Sequence, residues 1–154
     1  MPYALTVKQP FASAIITPAP RERKNLENRV WAPGPSCPPG TWIAIHAGKA
    51  TYPMGHARER AQSLWPHDPD SLPLSVLLGW ARYDGFYDFE EVKGAPWAVD
   101  LVALQGARAS YCWVLGEVIP LSRPVPCPKG ALGLWRLTGD QVEAMGGYPE
   151  KIAA

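Results

Sequence analysis

Proline and glycine set the narrowest limit on this chain. Eighteen prolines and fourteen glycines are spread through 154 residues. Each interior proline removes a backbone donor and clashes with the preceding turn, while glycine and proline together supply tight turns. Such punctuation restricts long helices and favours many short strands joined by turns. The segments between the breaks read accordingly. Tyr3 to Lys8 sets Leu5 and Val7 on one face and Thr6 and Lys8 on the other, a half-buried strand. Pro10 suits a first helical turn, and Phe11, Ala14 and Ile15 follow at helical spacing until Thr17-Pro18. A polar loop, Pro18 to Arg23, leads to a strand from Leu26 to Trp31.

Ala32 to Gly40 is proline-rich and is expected to lack regular structure. Trp42 to His46 reads as a strong strand ending at Ala47-Gly48-Lys49, and His56 to Trp65 as the longest helix. Leu74 to Tyr83 and Tyr111 to Leu121 are further strands. Between them the acidic, aromatic stretch Asp84 to Gly106 is expected to be an irregular lid or flank. Arg123 to Gly130 reads as a proline loop and Leu132 to Leu137 as a last strand. Thr138-Gly-Asp-Gln141 has capping-box spacing, so a short helix should begin there. No internal repeat is visible. About five or six strands with two or three short helices give an α+β class: a small, partly open mixed β-barrel flanked by helices.

The run Lys24-Asn25-Leu26-Glu27-Asn28-Arg29 concentrates chemistry on that frame. In a strand, Glu27 and Arg29 project to the same side, and Lys24 can curl over it. A carboxylate then holds an arginine fork whose free edge faces a ligand. The alternative is a solvated surface ion pair.

Composition narrows the possible partners. Formal net charge is +1, so no global basic field points to nucleic acid, and any anion recognition must be local. Cys37, Cys112 and Cys127 form no CxxC pair, so neither a zinc site nor a disulfide framework is indicated. Reduced thiols fit a cytoplasmic protein. No membrane span or signal segment is expected, nor any cofactor.

Several segments, in order, resemble the ASCH domain, a member of the PUA-like barrel superfamily. They are Leu5-Thr-Val-Lys-Gln-Pro-Phe-Ala12; Lys24-x-x-Glu27-Asn-Arg29 followed by Trp31; Trp42-Ile-Ala-Ile-His-Ala-Gly-Lys49; Trp113-Val-Leu115; and Pro124-Val-Pro126 leading to Gly130-Ala-Leu-Gly-Leu-Trp135. The resemblance implies one PUA-like domain over residues 1–154 with a cleft facing nucleotides or RNA, and enzyme activity in some members. Small bacterial relatives hydrolyse N(4)-acetylcytidine, and ribonuclease activity is associated with the family. The amidohydrolases are similar at Lys24 and Arg29 but carry Thr at the position of Glu27, with their catalytic Glu on another segment. Relatives often have Gly shortly before the Lys, so Pro18 to Arg23 looks like an insertion that lengthens the loop and makes it more basic.

Candidate roles follow. Lys24 is a general base or charge stabiliser, if burial or the nearby Arg21, Arg23 and Arg29 lower its pKa; otherwise it is a flexible surface lysine. Glu27 either orients a water and takes a proton, or holds Arg29 in register. Arg29 matches a phosphate or base edge. Lys8 and Gln9, at the strand-to-helix turn, are expected to meet an anion or a base edge. His46, beside Gly48 and Lys49, either bonds a phosphate or base or is structural. Trp31 and Trp113 are expected to stack a base, whereas Trp42, Trp80 and Trp135 read as core. No metal site is expected, since His46, His56 and His67 have no supporting spacing. Three functional readings remain: a module binding RNA or a modified nucleoside, a hydrolase using the same cleft, and a protein-interaction domain.

Overall fold

The computed structural model describes residues 2–18, 21–53 and 55–149. Its six strands are β1 (Tyr3–Gln9), β2 (Leu26–Arg29), β3 (Thr41–Thr51), β4 (Val76–Asp88), β5 (Tyr111–Pro126) and β6 (Leu134–Arg136). They form one sheet in the order β2-β5-β4-β3-β1-β6. Only the β1–β3 pairing is parallel; the other four are antiparallel. This is the expected α+β class with a mixed sheet. The end strands β2 and β6 do not pair with each other, so the sheet is not closed into a barrel.

Helix α1 (Phe11–Ile16) buries Ala12, Ala14, Ile15 and Ile16, and Pro10 occupies its N-cap position. Ile15 packs with Leu5, Val7, Ile43, Ile45 and Trp113 in the main core. A second cluster gathers Trp42, Leu77, Trp80, Leu137 and Met145. A third joins Ala14 and Leu26 to Ala61, Trp65 and Trp97, beneath helix α2 (His56–Leu64). All three cysteines are free and buried.

Several boundaries differ from the sequence reading, for identifiable reasons. β2 stops at Arg29 rather than Trp31, and β3 runs on to Thr51. β5 continues through Pro124 and Pro126, where a loop was expected, pairing Val125 with Leu77 and Pro126 with Val76. On its other side β2 covers β5 only from Tyr111 to Val114. Beyond that point β5 is an edge, where a proline lacking its N–H need forfeit no ladder bond. The stretch expected to be irregular begins as strand, since β4 reaches Asp88, and then holds two short helices. Asp88 and Glu91 form a capping box on α3 (Phe89–Val92). The Asp100 side chain accepts from Val102 and Ala103 N–H at the start of α4 (Leu101–Gln105), and left-handed Gly106 closes it. The expected capping box at Thr138 and Gln141 is present and opens α5 (Gly139–Ala144). The described residues thus hold five short α-helices instead of two or three. None of them is long and apolar enough to cross a membrane.

Candidate functional site

The entry to β2 is fixed from both sides. Lys24 N–H donates to the Ala14 carbonyl at the end of α1, and Asn25 O accepts from Leu115 of β5. The alternation of β2 then turns Glu27 and Arg29 the same way. Glu27 Oε1 lies 3.1 Å from Lys24 Nζ, and Oε2 accepts from Arg29 Nη2 at 2.8 Å and Nε at 3.0 Å. Lys24 Nζ also donates to the Leu26 carbonyl. Lys24 and Glu27 are 2% and 5% exposed, so this is no solvated surface pair.

Burial pulls the Lys24 ammonium below the usual lysine value; Glu27 opposes this and Arg29 adds to it. Burial alone would push the Glu27 carboxyl up, but Lys24 and Arg29 together outweigh it and hold the group below the usual carboxylate range. The expected push on Lys24 from Arg21 and Arg23 is therefore replaced by desolvation. Neither arginine lines the cavity, and Arg23 donates instead to the Leu115 carbonyl. Residues 19 and 20 of the Pro18 to Arg23 loop lie outside the described residues.

The three charged heads line a cavity of about 570 Å³, within the range of small-molecule sites. Its position follows from the open seam of the sheet. β6 covers β1 only from Tyr3 to Leu5, so Thr6, Val7 and Lys8 present an uncovered edge. Arg29 Nη2 reaches across to the Thr6 carbonyl at 3.1 Å. Phe11 and Tyr52 pack together in one wall, and Val99, Leu101, Leu104, Trp31, Val30 and Leu132 are among the other lining residues.

Asn28, which sequence reasoning passed over, lines the cavity and holds the wall segment that carries Val99. Its Nδ2 donates to the Trp97 carbonyl at 3.0 Å, and its Oδ1 accepts from Val99 N–H at 2.9 Å. Ser110 Oγ supports the same segment through the Val99 carbonyl and Leu101 N–H. An amide placed between a carboxylate and a guanidinium on one strand was the available signal. Asn28→Ala removes both bonds and should cost about 1–3 kcal/mol. Exchange of the Val99 amide is expected to quicken at least tenfold, read by hydrogen–deuterium exchange. Unchanged exchange would show that Asn28 does not hold the wall.

Of the residues proposed from sequence, Lys8, Lys24, Glu27, Arg29 and Trp31 line the cavity, whereas Gln9, His46, Lys49 and Trp113 do not. Gln9 is wholly buried, its amide shared between Ser13 and the Pro73 carbonyl. Trp113 is a core residue: its Nε1 donates to the Trp31 carbonyl, and its ring packs edge-on against Trp31. It has no free face for a base. His46 is committed through Nδ1 to Thr6 Oγ1 and through Nε2 to the Cys127 carbonyl. A carbonyl only accepts, so Nε2 carries a proton, and Trp135 N–H donates to the same Thr6 hydroxyl. Gly130 covers this network, where a Cβ would lie 2.3 Å from Thr6 Oγ1. Lys49 is exposed and away from the lining. Trp42 and Trp80 are core as expected, and Trp135 is half-buried against it. Among the described residues no three His, Cys, Asp or Glu side chains are grouped to hold a metal ion.

No family model and no curated protein matches the sequence. Solved structures match the fold. The ASCH protein of Zymomonas mobilis superposes with a TM-score of 0.60 at 15% identity, over 94% of this chain and 92% of that one. A tyrosine-to-phenylalanine variant of it gives 0.60 at 14% identity over 94% and 95%, and a serine-to-alanine variant gives 0.59 at 15% over 94% and 93%. A likeness that spans nearly both chains at such low identity is a likeness of architecture, and on that ground the chain has the ASCH domain fold.

Proposed function

We propose that the cavity binds a nucleobase-bearing ligand, RNA or a modified nucleoside or nucleotide. One observation carries this reading: the buried Lys24–Glu27–Arg29 cluster lies on the floor of a cavity whose walls include Trp31, Phe11 and Tyr52. Flat apolar faces beside directional charged donors suit a heteroaromatic base with a polar edge. Glu27 and the Thr6 carbonyl fix Arg29 through Nε and Nη2, which leaves Nη1 as its ligand-facing donor and means little rotamer freedom is lost on binding.

A second reading, hydrolysis of an amide on a modified pyrimidine, is favoured by the burial of Lys24. Desolvation raises the neutral fraction of its amine, which a general base requires. In that reaction Lys24 takes a proton from water as the hydroxide adds to the carbonyl. Arg29 stabilises the oxyanion, and Lys24 returns the proton to the departing amine. Glu27 is the only carboxylate among the described lining residues, and both its oxygens are engaged by the two cations. It therefore orients these groups.

Incubation with N(4)-acetylcytidine and with a short RNA, followed by calorimetry and mass detection of products, tests both readings. Saturable binding of either ligand is expected, with cytidine and acetate appearing if the hydrolase reading holds. Absence of binding by both would remove the proposal.

A further inference from the structure

Three cations, Lys8, Lys24 and Arg29, line the cavity against one carboxylate, Glu27. Both Glu27 oxygens are spent on Lys24 and Arg29, so its single charge offsets only one of them. The lining keeps a surplus of two positive charges in a chain whose total is +1. That surplus is ordered in space. Exposed Lys8 has its Nζ 5.8 Å from the centre of the Tyr52 ring; Tyr52 meets Phe11 edge-on at 5.2 Å; buried Lys24 has its Nζ 5.8 Å from the Phe11 ring. One wall therefore runs from a cation at the mouth, past two aromatic rings, to a cation on the floor.

We propose that the occupant is a nucleoside monophosphate, its base stacked on one of the two perpendicular rings, Tyr52 and Phe11, with the polar edge toward Lys24 and Arg29, and its phosphate held by Lys8. This rests on the nucleobase reading above and adds the charge and extent of the ligand. A phosphomonoester near neutral pH carries between one and two negative charges and several acceptor oxygens, matching an ammonium that has donors only. The rim argues for one nucleotide and not a strand. Around the mouth stand Val30, Leu104 and Leu132, which are 44%, 51% and 99% exposed. Beyond Lys8 no further described lining residue at that rim carries positive charge to meet a second phosphate.

Calorimetry on matched pairs tests this: the four ribonucleosides and acetylated cytidine, each with its 5′-monophosphate. For the base that binds, the monophosphate should bind about tenfold more tightly than its nucleoside at low salt. The advantage should shrink as ionic strength rises. Lys8→Gln should reduce the ratio to about one, and Lys8→Glu should invert it. Equal affinity within a pair, or a ratio that survives Lys8→Gln, would overturn this inference and leave the nucleobase reading standing. A short RNA that outcompetes the best monophosphate, with affinity growing with length, would overturn it in favour of a strand. If no member of any pair binds, this inference fails, and if the short RNA does not bind either, the nucleobase reading fails with it.

Discussion

Glu27→Ala should lower the unfolding free energy by about 3–5 kcal/mol, because it leaves Lys24 buried without its counter-charge. For a chain of this size the melting temperature should then fall by roughly 10 °C. The magnitude follows from placement. An exposed pair would be worth about 1 kcal/mol or less, but Lys24 and Glu27 have side-chain exposures of only 3% and 7%. Glu27→Gln should cost less, since it keeps the volume and an amide oxygen that can still accept from Lys24 or Arg29. Replacing both partners, with Lys24→Met and Glu27→Leu together, should recover much of the loss, as buried pairs often exchange for apolar groups at little cost. Acidity supplies a further check. Folding holds the Glu27 pKa below its unfolded value, so its stabilising contribution is present above the ordinary carboxylate range. It is lost as pH falls through the lower, folded value. The acid limb of a stability–pH curve should therefore flatten in Glu27→Gln. A Glu27→Ala protein that melts within a degree or two of the parent would mean that the cluster is solvated after all.

Under the hydrolase reading proposed above, Lys24→Met should reduce turnover of a susceptible amide by about a thousandfold, within the range for loss of a positioned base. Methionine gives up the ammonium's approach to the Phe11 and Trp97 rings, but an unbranched apolar chain still fills the space beside them. Glu27 retains Arg29 as a partner. The fold should survive, as a thermal melt would report. The parent's rate should rise with pH as Lys24 deprotonates, at a pH below the usual lysine range, because burial depresses its pKa. Lys24→Arg separates base from charge: a guanidinium keeps the positive charge but does not deprotonate in this range. Full activity in Lys24→Arg would show that Lys24 acts as a fixed charge, and the hydrolytic reading would lose its base.

Local sequence already carried much of this. Period-two alternation marked the strand around Leu5 and Val7, helical spacing marked Phe11 to Ile15, and Thr138 with Gln141 announced the last helix. The Lys24 to Arg29 run stood out because backbone alternation alone makes Glu27 and Arg29 neighbours. Asp88 and Asp100 offered capping signals inside the stretch read as irregular, where short apolar content hid the helices they start.

Whether a polar side chain faces a ligand or the interior could not be read the same way. Gln9, His46 and Trp113 looked available beside their sequence neighbours. Their bonds to distant segments settle the matter: Gln9 reaches Pro73 besides nearby Ser13, His46 is held by Thr6 and Cys127, and Trp113 by Trp31. The cavity depends equally on such distances: Asn28 draws in Trp97 and Val99, and β6 ends early enough to leave Thr6 to Lys8 uncovered. Spacing along the chain thus determined which groups share a face of a strand, a matter of backbone geometry over a few residues. Only the tertiary structure decided which of them lost water and which kept a free edge, because desolvation is imposed by whatever the rest of the chain packs against them.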